Sequence, residues 1–277
     1  MPTASHTSAY ALGSTDAEHE RLLRQAALFD PFTERLFRDA GVGAGQRCLD
    51  IGSGLGDVSM LVASLVGPSG VVVGVDRDPS IVAKAQARVA RAGLGNVTFT
   101  ISDIGQVASS VPFDAIVGRL ILEFVPDPSA VVCSLAKLLR PGGILAIQDA
   151  CWGPFLQLSS HLPLRARCAS LIYQAFERSG TNMDMESVLY RTFQEAGMPP
   201  PNMRIEVPVG GGPEFIRWVY DLFCSLHPRM QQHSLPWAPV GNLDTLLERL
   251  ENEAAANRTF VSCVGLVGAW SRKSGEH

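Results

Sequence analysis

Apolar residues recur at three- and four-residue spacing between Asp16 and Ala40, at Leu22, Leu23, Ala26, Phe29, Leu36 and Phe37, with charges between them. That period predicts an amphipathic helix, interrupted at Asp30-Pro31. The pattern then changes to short apolar runs rich in β-branched residues: Arg47 to Ile51, Val71 to Val75, Val97 to Ile101, Ala115 to Val117 and Ile144 to Gln148. Each has the length and flanking turns of a fully buried strand. Helical segments separate them at Asp57 to Val66, Pro79 to Ala92 and Pro128 to Leu139, and Gly67-Pro68-Ser69-Gly70 and Arg140-Pro141-Gly142-Gly143 turn the chain from helix to strand. Strands alternating with helices of this length predict right-handed βαβ units and a doubly wound α/β fold.

After Asp149 the pattern lengthens. Helices are predicted over Phe155 to Ser179 and Ser187 to Ala196, followed by the turn Met198-Pro199-Pro200-Pro201 and a strand over Met203 to Val209. Two more helices, Glu214 to Leu226 and Asn242 to Ala256, precede a final strand near Thr259 to Trp270, and His227 to Val240 reads as a surface loop.

Composition narrows the class. The 277 residues are 46% hydrophobic and 18% charged, which fits one large domain, or a domain with a smaller cap, and excludes disorder. Lys+Arg 23 against Asp+Glu 27 gives a net charge of -4, so no basic excess exists to meet a phosphate backbone, and nucleic acid is not an expected partner. Cys48, Cys133, Cys151, Cys168, Cys224 and Cys263 stand far apart, with no Cys-x-x-Cys pair and no His at ligand spacing. They read as reduced thiols of a cytoplasmic protein, with neither a disulfide framework nor a metal site. Met1 to Ser14 lacks the basic start and apolar run of a secretory signal, and Val261 to Trp270 falls short of the roughly 18 to 20 residues that span a bilayer, so no membrane partner is expected.

The strongest chemical signal is Cys48-Leu49-Asp50-Ile51-Gly52-Ser53-Gly54-Leu55-Gly56-Asp57, a buried strand running through three glycines into a helix. Glycines let the backbone approach a ligand and bring helix N–H groups to bear on it. A dinucleotide fingerprint would place its third glycine at position 57, where this chain has an aspartate that opposes a pyrophosphate. Asp76 closes the second strand, where a carboxylate accepts from both hydroxyls of a ribose, although Asp76-Arg77-Asp78-Pro79 also reads as a helix-capping turn. Asp103 follows the third strand, where a carboxylate accepts from an adenine amino group. Successive strand ends thus present one glycine bed and two acceptors, which suits an adenosine without phosphates.

With these residues the chain resembles the class I S-adenosylmethionine-dependent methyltransferases, most of all the branch of the ubiquinone/menaquinone methyltransferases and bacterial small-molecule methyltransferases. The likeness rests on the glycine motif, Val73-Gly74-Val75-Asp76, Ser102-Asp103-Ile104, Phe113-Asp114-Ala115-Ile116-Val117 and Leu138-Leu139-Arg140-Pro141-Gly142-Gly143. It implies a seven-stranded Rossmann-like sheet whose last strand inserts antiparallel between the fifth and sixth. It divides the chain into an N-terminal helical cap over the cofactor (1–40), a cofactor-binding core (41–150) and substrate-side helices forming a lid, with the last two strands of the same sheet (151–277).

The resemblance also implies cofactor contacts. Gly52, Gly54 and Gly56 would bed the methionine part, Asp50 and Ser53 of the same motif would belong to the cofactor site, Asp76 would hold the ribose, Asp103 with Ile104 would frame the adenine, and Arg77 would lie beside its ring. Arg119 would lie where backbone approaches the amino-acid part. Tyr10, in Tyr10-Ala11-Leu12-Gly13, and Gln25 match an N-terminal segment that would close over the cofactor.

Methyl transfer from a sulfonium is an in-line displacement that needs positioning and exclusion of water, and a base only where the acceptor must lose a proton. The candidate acid/base residues are Asp149 at the end of the fifth strand, Glu123 after the fourth, His161 and His227. Trp152, Phe155, Trp218, Phe223 and Trp237 supply aromatic surface suited to a small aromatic or heteroaromatic metabolite. The expected partner is therefore a small methyl acceptor, methylated at carbon, nitrogen or oxygen, and the reading admits a homodimer. The alternatives are a non-catalytic cofactor-binding regulator and an NAD(P)-dependent oxidoreductase, the latter disfavoured by Asp57 and by the lack of a Tyr-x-x-x-Lys pair.

Overall fold

A computed structural model describes residues 15–275. Its elements are α1 (Asp16–Ala40), β1 (Arg47–Ile51), α2 (Asp57–Val66), β2 (Val71–Asp76), α3 (Pro79–Arg91), β3 (Val97–Ile101), β4 (Phe113–Arg119), α4 (Pro128–Leu138) and β5 (Leu139–Cys151). There follow α5 (Trp152–Ser159), α6 (Pro163–Arg178), α7 (Met185–Glu195), β6 (Asn202–Glu206), β7 (Val209–Gly210), α8 (Pro213–Gln232), α9 (Leu246–Asn257), β8 (Val261–Ser262) and β9 (Gly265–Arg272). Short 3₁₀ turns lie at Leu122–Phe124 and Ala238–Val240.

The chain forms two units. A sheet unit contains Gln25–Cys151, Asp184–Glu206 and the residues from Leu266 onward; a helical unit contains the described residues up to Arg24, Trp152–Met183 and Val207–Gly265.

In the sheet unit the strand order is β3-β2-β1-β4-β5-β9-β6. The pairs β1–β2, β1–β4, β2–β3 and β4–β5 are parallel, and β9 runs antiparallel to β6, as the family resemblance implies for the last strand. Period-two alternation splits the strands between two cores. Leu49, Ile51, Ile116, Leu145 and Ile147 face α4 and α7, through Val132, Leu135, Leu189 and Phe193. Cys48, Ala115, Val117, Ile144 and Ala146 face the second half of α1 and α2, through Leu36, Phe37, Val62 and Val66. Order reverses between β1 and β4, the switch point at whose strand C-termini open α/β sheets bind ligands.

The helical unit packs α6 against α5, α8 and α9, with the two-stranded ribbon β7–β8 beside α5 and α8. Phe155, Cys168, Ile172, Val219 and Phe223 form its fully buried interior. Among the described residues no helix is long and apolar enough to cross a membrane.

Several expected boundaries move for identifiable reasons. The helix α1 passes through Pro31 unbroken. The carbonyl that a proline leaves unpaired belongs to Ala27, and both residues are exposed, so that carbonyl is open to solvent. The helix expected over 155–179 is two helices, parted just before Pro163, which starts α6. Pro208 parts the expected strand 203–209 into β6 and β7, which join different sheets, and the last strand likewise divides into β8 and β9. The stretch 227–240 is not a surface loop: α8 continues to Gln232, and Met230, Leu235 and Val240 are buried. Met230 follows the buried Leu226 by one helical turn and keeps the apolar stripe of α8 running past Pro228.

Candidate active site

At the switch point, β1 runs through Gly52-Ser53-Gly54-Leu55-Gly56 into α2. Backbone bonds lace this loop to its neighbours. Ser53 N donates to Val75 O at 2.9 Å, Gly56 N to Ser53 O at 2.8 Å, and Ser102 N to Asp76 O at 3.0 Å. Gly54 has φ +50°, and a Cβ built there would approach nothing nearer than Gly52 O at 4.0 Å, so the loop is open on that side. Gly56, at φ +82°, is closed: a Cβ would lie 2.9 Å from Cζ of Phe99. Ser53 Oγ is buried and lacks a partner among the described residues, an orphaned polar atom within the loop itself.

Asp76 takes one bond on each oxygen, from Gly54 N on Oδ2 and from Asp78 N on Oδ1, both at 3.0 Å. Capping of α3 falls to Asp78, whose Oδ1 accepts from Ser80 N and Ile81 N. The capping reading of Asp76-Arg77-Asp78-Pro79 therefore applies to Asp78, and half-buried Asp76 keeps lone pairs for a further donor. Arg77 and Asp103 are exposed, and Ile104 is buried. Asp103 Oδ1 accepts from Gly105 N at 2.9 Å, which folds the turn after β3 back on itself.

Beneath the loop lie carboxylates that sequence reasoning did not resolve into roles. Asp50 is fully buried, and its Oδ2 accepts from Ser59 Oγ at 2.6 Å, tying β1 to α2; burial pushes its carboxyl up to about 7. Asp50 thus supports the loop from below. Asp57 at the start of α2 pairs with Arg88 Nη2 at 2.7 Å, while Arg88 Nη1 reaches Leu55 O at 2.5 Å. Arg119 Nη1 donates to Asp30 Oδ1 at 2.8 Å and to Thr33 Oγ1 at 3.0 Å, and Thr33 Oγ1 bonds Gln148 Oε1 at 2.6 Å. This network joins α1 to the ends of β4 and β5, and half-buried Gln25 lies on the same helix. Its bonded partners are 86 to 115 positions apart, beyond the reach of any local periodicity.

Asp149 does not face an open pocket. It is fully buried, Oδ1 accepts from Ile121 N at 2.8 Å, and the N–H groups of Leu122 and Glu123 also bond the carboxylate. Burial raises its carboxyl to about 7 against those donors. Asp149 therefore caps the 3₁₀ turn, which begins beside Leu120 at φ +53°. Glu123 is buried in that turn. His161 and His227 belong to the helical unit. His161 Nε2 lies 3.3 Å from Thr259 Oγ1 and is exposed; His227 meets Trp237 edge-on at 4.3 Å, and burial lowers its pKa. Tyr10 lies outside the described residues.

Comparison with known proteins decides the family. Residues 43–197, more than half of the chain, match the methyltransferase domain. The chain belongs to this methyltransferase-domain family. Its relatives include the nocamycin O-methyltransferase of Saccharothrix syringae, 33% identical over 50% of this chain and 49% of that protein. The aklanonic acid methyltransferase of Streptomyces sp. strain C5 is 28% identical over 68% of this chain and 89% of that protein. The chain spans half or less of the first curated relatives it matches, 28% and 49% for the first two. A crystal structure from Bacillus halodurans, described as a candidate methyltransferase, shares the fold at 16% identity with a TM-score of 0.60, covering 87% of this chain and 97% of that one.

Proposed function

We propose that this member of the methyltransferase-domain family transfers a methyl group from S-adenosylmethionine to a small organic acceptor. One observation carries the reading: the open glycine loop and the Asp76 carboxylate are bonded to each other at the sheet's switch point, Gly54 N to Asp76 Oδ2 at 3.0 Å. The residues present fit such a ligand. The orphaned Ser53 hydroxyl and the uncovered side of Gly54 suit the amino-acid part, the remaining lone pairs of Asp76 suit two ribose hydroxyls, and the Asp103 turn with Ile104 suits a flat base.

When bound, S-adenosylmethionine supplies an electrophilic methyl carbon on a sulfonium. The chain's own residues bind and orient. Asp50 and Ser59 hold β1 against α2, so that the loop above keeps its shape without ligand. Asp149 holds Ile121 to Glu123 in place at the end of β4. With Oδ1 of Asp149 held by the Ile121 N–H, it serves as a positioning residue, and rate comes from alignment and exclusion of water. The names of two relatives, a nocamycin O-methyltransferase and an aklanonic acid methyltransferase, support an organic acceptor.

The test is incubation with methyl-labelled S-adenosylmethionine and a panel of phenols, aromatic acids and amines. Label transferred to any panel member supports the reading. Tight cofactor binding with no transfer to any acceptor would leave the chain a cofactor-binding regulator.

A further inference from the structure

The glycine loop contains a peptide unit that the fold grips at both ends. The carbonyl of Leu55 and the N–H of Gly56 belong to one peptide plane: the N–H donates to Ser53 O at 2.8 Å, and the carbonyl accepts from Nη1 of Arg88 at 2.5 Å. Gly56 has φ +82°, and a glycine takes either sign of φ, so the backbone at this position does not by itself decide which way the plane faces. The start of α2 does not decide it either, since its N-cap is Gly56 and no side chain caps the helix. The choice falls to Arg88.

Arg88 is placed for this by α3. Its Nη2 donates to Asp57 Oδ1 at 2.7 Å, so one planar guanidinium spans the residues on either side of Gly56. The two side chains are 22% and 17% exposed, which sets them apart from a screened surface pair. Ala85, one helical turn earlier on the same face, is fully buried, and its Cβ lies 3.5 Å from the point where a Cβ on Gly56 would stand. The other end of α3 is tied to the same loop. Asp78 caps the helix and donates its N–H to Asp76 Oδ1, while Gly54 N donates to Asp76 Oδ2. Loop, strand end and helix thus close a circuit of bonds from Gly54 through Asp76, Asp78, α3 and Arg88 back to Leu55, all of it inside the sheet unit.

We propose that Arg88 is a positioning residue of the cofactor site: by holding the 55–56 peptide in one orientation, it keeps the bed for the amino-acid part of the ligand formed before the ligand arrives. This role rests on the cofactor reading above, and Arg88 acts through the loop.

The experiment sets Arg88→Met, which keeps an apolar stem and removes both bonds, against wild type. Calorimetry of the full chain compares S-adenosylhomocysteine with 5′-methylthioadenosine, which lacks the amino-acid part. Arg88→Met is expected to weaken S-adenosylhomocysteine about tenfold and 5′-methylthioadenosine by no more than about twofold, a split that a general loss of stability does not produce. In the ligand-free chain the Gly56 amide hydrogen should exchange faster in Arg88→Met than in wild type. Should Arg88→Met fail to fold, Arg88→Lys supplies the second arm: its ammonium lacks the fork that bridges Asp57 and Leu55 O, so S-adenosylhomocysteine weakens severalfold with 5′-methylthioadenosine unchanged. Unchanged S-adenosylhomocysteine affinity in a folded variant, equal weakening of both ligands, or unchanged exchange at Gly56 overturns the proposal. Failure of the wild-type chain to bind S-adenosylhomocysteine is a separate result, which overturns the cofactor reading and this role with it.

Discussion

The backbone N–H of Gly54 donates to Oδ2 of Asp76 across 3.0 Å, and through that bond the loop after β1 and the strand end of β2 form one rim. Under the proposed function, loss of Asp76 acts twice, on the loop and on the ligand. Asp76→Ala is expected to weaken S-adenosylhomocysteine binding by about 1.5 to 3 kcal/mol, the usual worth of hydrogen bonds to a charged group. Calorimetric titration of the variant checks this, and unchanged affinity would remove Asp76 from the site.

Gly54 and Gly56 separate two causes of damage. Gly54→Ala meets open space, so its cost is the left-handed backbone alone, about 1 to 2 kcal/mol or roughly 2 to 8 °C in Tm. Gly56→Ala adds a clash with Phe99 and should be the less stable variant. Phe99→Leu should partly rescue Gly56→Ala and not Gly54→Ala, a coupling that thermal melts of the double variants read directly.

Asp50 links stability to pH. Its carboxyl is raised to about 7 in the folded chain from an ordinary 3.8, so between those values the folded state holds a proton that the unfolded chain has released. Stability attributable to this group is thus fully present below about pH 4 and falls by up to about 1.4 kcal/mol per pH unit toward pH 7. Asp50→Asn keeps an acceptor for Ser59 without the charge. Its Tm should decline less steeply than wild type over that window and exceed it at pH 8; parallel curves would contradict the assignment.

Asp149→Ala and Asp149→Asn distinguish a cap from a base. Removing the carboxylate frees Ile121 N and its neighbours inside the fold and should cost about 1 to 3 kcal/mol. Asn retains one oxygen for Ile121 N and should recover much of that loss. With an acceptor in hand, the Asn variant should keep the pH profile of transfer, whereas a catalytic base would take its ionisation limb with it.

The sequence made the sheet legible because each strand core is a short apolar run bounded by turns: Arg47–Ile51 and Val97–Ile101 match their predicted limits. The glycine loop and Asp76 were equally readable, since their chemistry is local and sits at strand ends. The partners beneath them were not. Ser59 for Asp50, Arg88 for Asp57 and Asp30 for Arg119 are pairings of the folded chain, as is the bond from the Ile121 N–H to Asp149, which the strand-end position did not announce. Proline misled in both directions: Pro31 and Pro228 lie within helices, whereas Pro208 divides a strand.

Calorimetric titration of the purified chain with S-adenosylhomocysteine, with NADH and NADPH in parallel, tests the cofactor site directly. S-adenosylhomocysteine alone is expected to bind, at micromolar affinity, with binding lost or weakened in Asp76→Ala. Binding of a dinucleotide in its place, or no binding of S-adenosylhomocysteine to the folded chain, would contradict it.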